Sequence, residues 1–128
     1  MKNLIYLFLF FSFFSFSQEE ISIIDFAKGD YPIGEKVKIL YDKDWKPVTA
    51  IDSADYYRIV KFKEKNMPSG KITDFFITGE NQSDIYSSYI GLNTKGVDSV
   101  FLNGPYNEYH KNGNKSHMYF YLNNLKTG

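Results

Sequence analysis

Two ten-residue stretches, GKITDFFITG (70–79) and GPYNEYHKNG (104–113), open and close on glycine with the same spacing between. An acid falls at the same place in both (Asp74, Glu108), followed by an aromatic pair or near-pair (Phe75-Phe76, Tyr109-His110). A small or polar residue, Thr78 or Asn112, then precedes the closing glycine. Glycine tolerates the positive-φ backbone of a tight turn, and Asn-Gly is a strong hairpin signal. Gly70 and Gly104 therefore read as strand entries, and Gly79 and Gly113 as turn residues. The Tyr-bearing segment after each closing glycine supplies the antiparallel partner. Each unit is a hairpin, and a lone hairpin is marginal in water, so such units stack side by side.

The rest of the chain agrees with a β reading. KVKILYD sets Val37, Ile39 and Tyr41 against Lys36, Lys38 and Leu40, a period-two pattern with one lapse. DYYRIVKFK, DIYSSYIGL, SVFLN, PYNEYH and SHMYFYL follow as further strands, separated by Gly, Asn, Asp, Ser or Pro. In the last, Met118, Phe120 and Leu122 share one face while His117, Tyr119 and Tyr121 share the other. Residues 47–55 fit a single helical turn, and FAKGDYPIGEK reads as a loop. The expected fold is mostly β: antiparallel tandem hairpins forming an open twisted sheet, after an N-terminal signal peptide helix.

That helix is read from MKNLIYLFLFFSFFSFSQEE. One basic residue, Lys2, precedes an apolar run from Leu4 to Phe14, and Ser15 and Ser17 occupy the small-residue positions of a cleavage site before Gln18. The run is too short and too broken by serine to span a bilayer as an anchor. Cleavage between Ser17 and Gln18 implies export to the periplasm, cell surface or medium, with no stable membrane span afterwards. Removing 17 of the 128 residues leaves 111, with 14 Lys+Arg against 15 Asp+Glu. No basic stripe points to nucleic acid. The chain has no cysteine, so no disulfide assists a domain of this size. The tripeptides NQS (Asn81) and NKS (Asn114) fit the glycosylation acceptor pattern and arise readily by chance.

The glycine-bounded units resemble the MORN-repeat-variant (YwqK-type) family, whose units run Gly-x-aromatic-x-x-Tyr-Tyr-x-Asn-Gly. GPYNEYHKNG matches at Gly104, Tyr106, Tyr109, Asn112 and Gly113, with His110 in place of the second Tyr. GKITDFFITG is a degenerate copy that keeps Ile72 and Phe75-Phe76. Residues 41–62, with Asp44-Trp45, Ala54 and Tyr56-Tyr57-Arg58, are similar to the leader of exported members. The resemblance covers about residues 41–128 and implies leader strands (41–69) and repeats (70–128), after the signal peptide (1–17) and an N-terminal strand or loop segment (18–40) that has no counterpart in the family. Gly128 stands where a third unit would open, so the expectation is a truncated frame, with further repeats or a TonB-like domain beyond. The distance from Gly79 to Gly104 exceeds a plain repeat and predicts an extended loop near LNTKGVDS. The antitoxin label attached to this family sits awkwardly with export.

Catalysis is not expected. Glu108 and His110 lie two apart, as an acid–base pair on one strand face would, but His110 fills the slot of Phe76 in the other unit, an aromatic packing position. Two histidines without cysteine give no zinc spacing, and Asp42 and Asp44 in DKDWK lack the glycine and terminal Glu of a calcium loop. No cofactor is expected. Trp45, Tyr57, Arg58, Tyr109, Tyr119 and Tyr121 form the candidate binding surface, aromatics with an arginine being what a binding patch uses. The competing reading places Tyr56 and Tyr57 astride a strand, one in the core and one at its edge, with Trp45 over the sheet end. The expected function is a non-enzymatic exported scaffold contacting a protein or envelope component through its Tyr-rich face and strand edges. The alternative is a glycan or small-ligand module that stacks on Trp and Tyr.

Overall fold

The computed structural model describes residues 20–127. The expected cleavage site at Ser17-Gln18 and the expected repeat glycine Gly128 lie outside them. Twelve strands run in order: β1 (Ser22–Ile23), β2 (Lys36–Tyr41), β3 (Pro47–Val48), β4 (Tyr56–Glu64), β5 (Met67–Pro68), β6 (Ile72–Phe76), β7 (Asn81–Ile85), β8 (Ser87–Leu92), β9 (Asp98–Leu102), β10 (Gly104–Tyr109), β11 (Lys115–Leu122) and β12 (Leu125–Lys126). Single 3-10 turns occupy Phe26–Lys28 and Ile51–Ser53, the second inside the segment expected to turn once. The protein is mostly β, with an open, mostly antiparallel sheet in the order β1-β2-β4-β6-β7-β10-β11-β12. Among the described residues only β1 joins in parallel, against β2. β8 and β9 form a separate two-stranded layer.

The core lies between these two layers. Val37, Ile39 and Tyr41 of β2, Val60 and Phe62 of β4, Ile72 of β6 and Ile85 of β7 are buried on one face, with Ile90 of β8 among them. Phe26 and Tyr31 close one end against Phe62 at ring distances of 5.9 and 4.5 Å. Leu40, the lapse in the alternation of β2, is buried as well; it pairs with Val48 of β3 on one side and Tyr57 on the other.

Both glycine-bounded units fold as hairpins, β6–β7 and β10–β11. In the first, the Phe76 N–H bonds the Glu80 carbonyl and the Gly79 N–H bonds the Phe76 carbonyl; His110, Asn114 and Gly113 repeat the arrangement. Only the glycine of each loop has positive φ, 108° at Gly79 and 92° at Gly113, so the loops are three-residue turns closed by a left-handed glycine rather than two-residue Asn-Gly turns. The correspondence extends to a bulge. Asp74 opposes Ser83 while Phe75 opposes Asn81, and Glu108 opposes His117 while Tyr109 opposes Lys115.

The extended loop expected near LNTKGVDS is instead a third such hairpin. The Asn93 N–H bonds the Val97 carbonyl, the Gly96 N–H bonds the Asn93 carbonyl, and Gly96 has φ 76°. The Asn93 side chain also accepts from the Lys95 and Val97 N–H groups, which fixes the turn locally. Gly79, Gly96 and Gly113 are evenly spaced, 17 residues apart. The repeat is therefore a pair of hairpins, alternate members going to alternate layers. Asp42 and Trp45 build a fourth turn of the same pattern, with Trp45 at φ 61° where the others carry glycine. Asp42 Oδ1 accepts from the Asp44 and Lys46 N–H groups, which is the work of this acid in DKDWK.

The segment DIYSSYIGL, expected as one strand, breaks at Tyr86, where the chain leaves the main sheet. Gly104, at φ 128°, lies so close to Tyr86 that an added Cβ would sit 3.0 Å from the Tyr86 Cβ. Asn66 and Asn124 hold the small layer at its two sides. The Asn66 carbonyl accepts from the Ile90 N–H at 2.9 Å, and the Asn124 N–H donates to the Leu102 carbonyl at 2.7 Å. Both asparagines adopt positive φ, which their short amides tolerate better than other side chains do.

A Gly96→Ala variant tests the third turn. No atom lies within 4 Å of the added Cβ, so the cost is conformational alone. A loss of about 1–2 kcal/mol is expected in urea unfolding, with Gly96→Asn losing less. An unchanged midpoint for the alanine variant would refute the left-handed turn.

Candidate functional site

Cross-strand register sets one row of residues across the inner face of the main sheet: Ile39, Arg58, Asp74, Ser83, Glu108 and His117, on β2, β4, β6, β7, β10 and β11. All but the first are polar. Arg58 is 2% exposed, so it is buried within the fold rather than displayed on the binding surface expected for it. Its Nε donates to Asp74 Oδ1 at 2.6 Å and its Nη2 to Asp74 Oδ2 at 2.9 Å, a bidentate pair. Its Nη1 reaches Asp98 of β9 at 3.1 Å and the Tyr41 hydroxyl at 3.3 Å. Tyr41 donates to Asp98 in turn, and Ser83 donates to Asp74. One arginine thus ties the small layer to the large one.

Desolvation and neighbouring charges set the proton affinities. Arg58 is held well above its ordinary pKa: burial lowers it, and Asp74, Tyr41 and Asp98 more than reverse that, so it stays charged. Burial pushes the Tyr41 hydroxyl up, against the pull of Arg58. The Asp98 carboxyl is raised because burial outweighs Arg58. The folded state then keeps the Asp98 proton to a higher pH than the unfolded chain does, so ionising Asp98 costs stability as pH rises from 3.8 through the folded value. Measured by urea unfolding from pH 3 to 7, the stability of the parent relative to Asp98→Asn is expected to fall with rising pH in that window. A difference that grows instead would contradict the raised value.

Arg58, Asp74, Ser83 and Glu108 of this row floor a cleft of about 450 Å³ between the layers. Val100 and Leu102 of β9 and Ile85 of β7 give it apolar walls, Trp45 and Tyr106 add aromatic edges, and Glu108 faces in from the floor. Trp45 stacks on Tyr56 at 4.5 Å and 10°, over the end of the sheet. Burial, then Glu108, raises the Tyr106 hydroxyl well above its ordinary pKa. Glu108 has His117 Nδ1 at 3.7 Å rather than His110, which lies exposed beyond the end of β10. The aromatic packing expected of His110 is therefore not formed.

The remaining candidates do not share this cleft. Tyr57 lies on the opposite face of the sheet, stacked on Phe75 at 4.8 Å with Lys38 over its ring. Tyr109 donates to Asp84 at 3.1 Å. Tyr119 and Tyr121 are half-buried beside Tyr106, and Lys126 lies 3.9 Å above the Tyr119 ring. It is the other face of β11 that meets solvent, with Met118 67% and Leu122 55% exposed. The Tyr-rich face is thus less exposed than the aliphatic one.

Sequence reasoning missed Tyr41 and Asp98 as partners of Arg58, and Ser83 as a partner of Asp74. The recurrence of an acid at Asp74 and Glu108 was a usable sign of an inner polar row. The Arg58–Asp98 contact spans 40 residues and carries no local signature. Among the described residues no helix is long and apolar enough to cross a membrane. Compared with protein-family models, curated proteins and solved structures, the chain matches none.

Proposed function

We propose that this chain is an exported, non-enzymatic β-repeat scaffold that binds a protein of the cell envelope through its last long strand. The supporting observation is the outer face of β11 and β12, where Met118, Phe120, Leu122 and Leu125 are 67, 48, 55 and 70% exposed in one row. Apolar side chains grouped this way mark interaction sites more often than isolated ones do. Among the described residues no strand pairs the outer edge of β11 from Lys115 to Tyr119, so its backbone groups are available for strand addition.

Photo-crosslinking from Leu122, in the cells that make the protein, is expected to give one discrete adduct. The same probe at Lys95, in the turn of the small layer, should give none. Equal labelling from both positions, or none from Leu122, would refute the surface. With the probe kept at Leu122, Met118→Lys should abolish the adduct while leaving stability within about 0.5 kcal/mol, as exposed substitutions do. Export is tested separately: the mature protein should begin at Gln18, and recovery of the intact N-terminus would overturn it.

A further inference from the structure

We infer that the cleft between the two layers is a second, independent binding site, which takes an extended peptide strand carrying a basic side chain. The argument starts from the free edge of β9. The Asp98 N–H donates to the Trp45 carbonyl at 2.8 Å, and the Leu102 N–H donates to Asn124 Oδ1 at 3.0 Å, so both point away from β8. Val100 lies midway between them with the same strand parity and directs its N–H and carbonyl the same way. Among the described residues nothing meets those two groups. Trp45 and Asn124 thus bracket a gap of about 13 Å along β9, four residues of strand rise. A short extended chain fits that interval and pairs with Val100, while its alternate side chains point down into the cleft.

The floor decides which side chains those are. Asp44, Asp74, Asp98 and Glu108 line the cleft against one cation, Arg58. Arg58 is fully engaged by Asp74 and Asp98. Glu108 keeps a partly exposed carboxylate that faces the Tyr106 hydroxyl and has His117 Nδ1 at 3.7 Å, with no lysine or arginine paired to it among the described residues. A guanidinium or ammonium entering beside Ser83 completes the row with Glu108, as Arg58 completes it with Asp74. The adjacent inward position of the peptide meets Val100, Leu102 and Tyr106, which suits an aliphatic residue. Strand addition along β9 supplies affinity and the charged pocket supplies selectivity.

The test uses acetyl-Val-Thr-Arg-amide, whose three residues span about 10 Å, and its counterpart with Glu in place of Arg, titrated against the mature chain by NMR. The Arg peptide is expected to shift the Val100 amide and to bind about tenfold or more tighter than the Glu peptide. Glu108→Gln, which keeps the side-chain shape, should bring the two affinities together. Leu125→Ser, on the outer row, should change neither. A stationary Val100 amide, equal binding of the two peptides, or an Arg-peptide affinity untouched by Glu108→Gln would overturn the inference. Loss of binding in Leu125→Ser would also overturn it, by placing the peptide on the outer face of β11 and β12.

Discussion

Arg58→Met is expected to destabilise the protein by about 3–5 kcal/mol, because it leaves the buried Asp74 and Asp98 carboxylates without their counter-charge. Against a typical domain stability of about 5–15 kcal/mol, that loss is enough to unfold a substantial fraction of molecules under mild denaturant. The loss comes from what remains, not from what is removed. Asp74 and Asp98 side chains are 4 and 9% exposed, so little hydration stands ready to replace the guanidinium. Adding Asp74→Asn and Asp98→Asn to the methionine variant should therefore recover part of the stability, since neutral amides bear burial more cheaply than carboxylates. Urea unfolding of the parent, the single variant and the triple variant checks this. A single variant within about 1 kcal/mol of the parent, or a triple variant worse than the single, would show that the network does not hold the layers together.

Phe62→Ala should cost about 3–5 kcal/mol by a different route. Its side chain is fully buried among Phe26, Tyr31 and the β2 aliphatics, and its removal leaves a void that close-packed neighbours only partly fill. The effect should have a direction as well as a size. Phe26 and Tyr31 anchor the segment before β2, and the Gly34 N–H bonds the Phe62 carbonyl at 2.8 Å. Hydrogen exchange should therefore quicken over residues 24–34 more than in β10 and β11. Uniform loss of protection would mean that this segment is not a separable unit. Arg58 and Phe62 lie four residues apart on β4, about 13 Å, so their effects should add to within about 0.5 kcal/mol.

Much of the fold was legible because β structure writes its signals locally. Alternation in KVKILYD placed Val37, Ile39 and Tyr41 on the core face, and the two glycine-bounded stretches placed their hairpins. Gly96 was equally legible in principle: Asn93 and Gly96 form a turn of the same pattern, but in the other two units Gly70 and Gly104 also mark where the first strand opens. β8–β9 has no such opening glycine, so the segment read as a loop. The site was less legible. Trp45 and Arg58 were singled out as a surface pair, and both border one cleft, but one stacks at its edge while the other is sealed in its floor.

The strand faces of β11 show where a sequence stops deciding. Its alternation established that Met118, Phe120 and Leu122 share one side and Tyr119 and Tyr121 the other; period two allows nothing else. It did not establish which side meets solvent. That depends on where β8 and β9 lie, and they lie on the tyrosine side, where Ile90 joins the core and Asp98 meets Arg58 across 40 residues of chain. Strand existence, turn position and face membership depend on neighbours in the chain and were determined by the sequence alone. Burial of Arg58, the break at Tyr86, the cleft and the exposed aliphatic row depend on contacts between distant segments, and only the tertiary structure decided them.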